Sequence, residues 1–73
     1  MSERFGITKR QREAFDWLSA YIDANGYSPS FREIMDGLGM KSVSQVSAIV
    51  KVLEQRNYVK RLYGLRRSIT ICD

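Results

Sequence analysis

Ser30-Phe31-Arg32-Glu33-Ile34-Met35-Asp36-Gly37-Leu38-Gly39-Met40-Lys41-Ser42-Val43-Ser44-Gln45-Val46 is the stretch on which the fold turns. Ser30 and Glu33 have the spacing of a capping box, in which each satisfies a backbone N–H at a helix start. Phe31, Ile34, Met35 and Leu38 then recur at helical spacing. Pro29 holds Ser28 extended and keeps the helix from starting earlier. Gly37 weakens the last turn and Gly39 ends it, because glycine reaches the left-handed region at no steric cost. Gly39-Met40-Lys41 is a tight connection. Ser42 caps a third helix, predicted over 43–56, with Val46, Ile49, Val50 and Leu53 on its inner stripe. Two helices joined by so short a glycine-containing turn have the spacing of a helix-turn-helix.

Upstream, Thr8-Lys9-Arg10-Gln11 is a second capping box. Ala14, Phe15, Leu18, Tyr21 and Ile22 follow as an apolar stripe, and Gly26 closes this first helix after Asn25. Trp17 lies off the stripe, half exposed or covered by a neighbouring element. Residues 1–7 read as a loosely held arm. Downstream, the period changes. Tyr58-Val59-Lys60-Arg61-Leu62-Tyr63 and Arg67-Ser68-Ile69-Thr70-Ile71 are rich in β-branched and aromatic residues, with Gly64 between them, and predict a hairpin. Ile69 and Ile71 face inward. Val59 and Leu62 fall on opposite faces, which a bulge or an early strand end would accommodate. A lone two-stranded hairpin is marginal in water, so it must pack on the helices. The expected fold is mainly α with a small β-hairpin: a winged helix-turn-helix of three helices and a two-stranded antiparallel wing, forming one domain over 1–73. The expected core is Phe15, Leu18, Ile22, Phe31, Ile34, Leu38, Val46, Val50, Leu53, Ile69 and Ile71.

The chain has 73 residues, with 44% hydrophobic and 27% charged. That suffices for one small core and not for a deep enclosed active site. There is no histidine and one cysteine, Cys72. An internal disulfide framework, most zinc sites and His-based catalysis are thereby excluded. No apolar run approaches the ~20 residues of a membrane span, and no signal peptide is evident. The expectation is a cytoplasmic protein that is not an enzyme, with no cofactor, no metal and no small-molecule ligand. The formal charge of +4 is unevenly placed. Residues 1–40 carry five Lys/Arg against six acids, a net of −1, and residues 41–73 carry seven against two, a net of +5. A basic half favours a polyanion, nucleic acid first.

These residues resemble the N-terminal DNA-binding domain of the LexA repressor family. The likeness runs from Ile7 to Ile71. Ile7-Thr8-Lys9-Arg10-Gln11, Gly26-Tyr27-Ser28-Pro29-Ser30, Arg32-Glu33-Ile34, Gly37-Leu38-Gly39, Ser42, Ser44, Val46 and Leu53-Glu54 carry it, in order and spacing. The resemblance implies a transcriptional repressor that binds double-stranded DNA. LexA proteins also carry a self-cleaving Ser/Lys protease domain that drives dimerisation. This chain ends at Asp73, where the linker to that domain would begin, so self-cleavage is not expected to carry over. The initiating Met favours a complete small protein over an excised domain. Ser47 and Ala48 are small, and Ile49 stands where relatives often have a polar residue, so a base preference different from the family operator is expected.

In a helix-turn-helix, the N-terminal half of the third helix enters the major groove. Ser44, Gln45, Ser47 and Ala48 are the candidates for base readout. Gln45 can pair with adenine, the serines with either kind of edge, and Ala48 with a thymine methyl. Lys41, Ser42 and Lys51 are candidates for phosphate. Ser28, Ser30 and Arg32 join them where the second helix crosses the backbone. Lys60, Arg61, Tyr63, Arg66 and Arg67 form the wing, although basic residues on edge strands also deter aggregation. The expected partner is duplex DNA, bound by a homodimer that forms by other surfaces or only on DNA. The competing expectation is a winged-helix module, such as a small phage or mobile-element regulator, that binds another protein. Cys72 reads as an incidental free thiol, with an end-to-end disulfide in a dimer as the chemical alternative.

Overall fold

The computed structural model describes residues 6–61 and 69–72. The element order is α1 (Lys9–Asn25), α2 (Phe31–Leu38), α3 (Val43–Gln55), β1 (Val59–Arg61) and β2 (Ile69–Ile71). The strands pair antiparallel, with Val59 opposite Ile71, Lys60 opposite Thr70 and Arg61 opposite Ile69. This is the expected mainly helical architecture with its wing.

Both capping boxes form. The Thr8 hydroxyl accepts from Gln11 N at 3.1 Å, and Thr8 N donates to Gln11 Oε1 at 2.9 Å. At α2, Ser30 Oγ accepts from Glu33 N at 3.2 Å, while Ser30 N donates to Glu33 Oε1 at 2.8 Å. The Tyr21 hydroxyl donates to the other oxygen of Glu33, tying α1 to the start of α2. At the far end of α2, Gly39 turns left-handed at φ 66°, and Met40 N reaches back to Met35 O at 2.9 Å. Arg10 of α1 donates to Leu38 O at 2.7 Å, filling one of the carbonyls a helix leaves open.

The end of α3 differs from expectation. The helix stops at Gln55 because Asn57 takes the left-handed conformation at φ 66°. Asn57 N then donates to Glu54 O, and Tyr58 N to Leu53 O, the paired bonds of a Schellman stop. Tyr58 and Val59 thereby turn into the core, where Tyr58 meets Phe15 edge-on at 5.1 Å. β1 accordingly begins at Val59, one residue later than the pattern predicts.

The core is Ala14, Phe15, Leu18, Ile34, Val46, Val50, Leu53, Tyr58, Val59 and Ile69. Burying each large apolar side chain contributes roughly 1.5–3 kcal/mol. Phe31, Leu38 and Ile71, expected inside, are half-buried and packed against this cluster. Ile22 is also only half-buried, on an open groove it lines with Asp16, Ser19, Ala20, Asp23 and Ile71. The expected arm needs correction at its last residue, since Ile7 packs against the core. Its residues 1–5 lie outside the described residues, as does Leu62 with its expected bulge.

Candidate nucleic-acid interface

α3 is positioned by its inner stripe. Val46, Val50 and Leu53 are fully buried between α1, α2 and β1. At about 100° per residue, that stripe turns the opposite face to solvent. Ser44, Gln45, Ser47, Ala48 and Lys51 are all exposed there, and Ile49 is half-buried at its margin. The first two turns of this face are uncharged and short, apart from Gln45. A surface of this kind lets a helix approach another body closely.

The start of α3 is fastened by two side chains. Ser42 Oγ accepts from Gln45 N at 3.3 Å. Gln45 folds back so that its Oε1 accepts from Lys41 N at 3.0 Å. Gln45 is therefore not idle in the free protein. Its amide nitrogen can still donate, and the oxygen keeps a second lone pair, so a two-bond pair with adenine is compatible with the Lys41 bond, which holds the amide in one orientation. Lys41 itself is exposed beside the half-buried Ser42.

Of the other candidates, Arg32 is exposed in the first turn of α2 and Lys60 is exposed on β1. Ser30 is half-buried and engaged as the cap. Two expected contact residues sit differently. Ser28 is only 4% exposed, and its hydroxyl is turned inward, accepting from Ile69 N at 3.2 Å and donating to Pro29 O at 3.0 Å. Its hydroxyl is thus engaged inside the protein, not presented at the surface as a phosphate contact would be. Arg61 is half-buried with its guanidinium 4.7 Å from the centre of the Phe31 ring, a cation–π distance. This contact joins β1 to the first residue of α2. Tyr63, Arg66 and Arg67 lie outside the described residues.

The sequence candidates omit Val43, which is 45% exposed at the first turn of α3. Its signal is positional. A residue at the first helical position has no preceding turn to cover it, whatever face it occupies.

Three helices, a short turn between the second and third, and a paired wing behind them define a winged helix-turn-helix protein. The chain belongs to the LexA DNA-binding domain family, whose model matches residues 4–68. It is 43% identical over 65 residues to the LexA repressor of Koribacter versatilis, covering 89% of this chain and 31% of that protein. To the LexA repressor of Mycolicibacterium vanbaalenii it is 41% identical over 66 residues, covering 90% of this chain and 28% of that one. To that of Bifidobacterium longum it is 37% identical over 65 residues, covering 89% and 27%. The chain thus spans less than a third of the length of these relatives. No helix among the described residues is long and apolar enough to cross a membrane.

Proposed function

We propose that this protein is a sequence-specific double-stranded DNA-binding transcriptional repressor that acts by occupying its site. The observation that carries this reading is the outer face of α3, uncharged and short over its first two turns, with exposed Lys41 just before it and exposed Lys51 beyond it. Ser44, Gln45, Ser47 and Ala48 read base edges. Lys41, Ser42 and Lys51 hold phosphates on one side. Ser30 and Arg32 hold the backbone that α2 crosses. Lys60, with Tyr63, Arg66 and Arg67 from the sequence, supplies the wing. Membership in a DNA-binding family supports the assignment, as does the LexA repressor name its relatives bear. A single module of this kind buries about 600–1,000 Å² on DNA, so two copies on a two-fold site supply the affinity. The reading involves no catalytic step and takes the protein to be cytoplasmic.

The test is salt dependence. Binding to a selected duplex, followed by fluorescence anisotropy across about 50–200 mM salt, is expected to weaken steeply. The slope of log K against log salt is about −0.9 per phosphate neutralised. Lys51→Ala is expected to make that slope shallower by about one such contact. Affinity indifferent to salt contradicts the reading and favours a protein partner.

A further inference from the structure

The wing is fastened to the segment that leads into α2, and Ser28 is the fastener on its second strand. Ser28 and Ile69 are 41 residues apart in sequence, yet Ile69 N donates to the Ser28 hydroxyl at 3.2 Å inside the protein. A hydroxyl has one proton and two lone pairs, so it can accept from Ile69 while donating to Pro29 O. The following Pro29 is fully buried and keeps Ser28 extended, so the hydroxyl has a fixed origin. On the first strand, Arg61 lies over Phe31, the opening residue of α2. Arg61 and Ile69 face each other in the hairpin. Both strands are thus attached, at one level of the wing, to residues 28–31.

We propose that Ser28 is a positioning residue for DNA binding: its buried hydroxyl sets the wing relative to the helix-turn-helix, so that wing and α3 engage one duplex together. This rests on the DNA-binding reading above and adds a residue that does not itself touch DNA. Short strands need such an attachment, because a two-stranded hairpin has little stability of its own. A buried N–H that loses its acceptor is costly, so removing the hydroxyl frees the start of β2 first.

The test has two arms. In the first, amide hydrogen exchange is followed by NMR on the whole chain without DNA. Ser28→Ala is expected to speed exchange at Ile69 by roughly tenfold or more, as for an amide that has lost its acceptor, and to leave Leu18 and Leu53 unchanged. In the second, the salt slope on the selected duplex is expected to become shallower by about one phosphate contact. Ser28→Thr keeps the hydroxyl and is expected to retain both wild-type values. Unchanged exchange at Ile69 overturns the proposal. So does an unchanged slope with faster Ile69 exchange, because the wing then needs no such fastening to bind. Equal loss of protection at Leu18 and Leu53 also overturns it, since the hydroxyl would then hold the whole fold. Failure of the DNA reading is seen separately, as wild-type protein with no duplex preference, and leaves the exchange arm intact.

Discussion

Gly37 and Trp17 show how one side chain can invert an ordinary rule. Gly37 is on the exposed side of α2, where alanine would normally stabilise a helix by up to ~1 kcal/mol. Here the indole of Trp17 lies against the glycine, and an added Cβ would overlap Cζ2 and sit 2.9 Å from Nε1. Gly37→Ala is therefore expected to destabilise by about 1–3 kcal/mol, as overpacking does. Thermal melting checks this. A fall in Tm is predicted in the native background, turning to a small rise when Trp17 is also replaced by alanine. The sequence shows Gly37 as a weak spot and Trp17 as off the stripe, but not that the two meet. The same holds for Ser28. Its place before Pro29 marks it as a loop residue near a helix start, which reads as a surface position. Its acceptor role depends on Ile69, whose approach is set by tertiary packing alone.

At the scale of elements, what is local was legible. Thr8 with Gln11 and Ser30 with Glu33 are marked by residue type and spacing, and both boxes close as expected. The cap of α2 does more than start a helix, since Glu33 also receives Tyr21 from α1. Ser30→Ala is expected to cost about 1 kcal/mol, the usual loss for such a cap. That lowers Tm by roughly 4–8 °C in a chain this small. A variant that melts with the wild type would show that packing of Ile34 alone holds the helix start. The end of α3 was less legible. Gly26 and Gly39 announce their turns, whereas Asn57 performs the same left-handed stop with a side chain that many conformations accept. Missing that stop also hides Tyr58 and Val59 from the predicted core, because they enter it only once the chain has reversed.

At the scale of the molecule, the division of charge matches a division of labour. The near-neutral first half supplies α1 and α2, and the basic second half supplies α3 and the wing strands. The fold was readable because helix spacing, caps and a change of period all agree. The candidate site was readable only as an exposed face: exposure of Ser44, Gln45, Ser47 and Ala48 follows from the stripe opposite them. The Gln45–Lys41 bond, the inward turn of Ser28 and the seat of Arg61 on Phe31 depend on geometry that no spacing encodes. The central claim is that α3 reads a duplex and that two copies do so together. Repeated selection from a randomised duplex pool at near-physiological salt, with Gln45→Ala alongside, tests it most directly. The account predicts a two-fold symmetric motif with half-sites about one helical turn, or a multiple of it, apart. Gln45→Ala is predicted to relax preference at one position in each half-site, at a cost of about 1–3 kcal/mol. No enrichment over random duplex by the wild-type protein would contradict it.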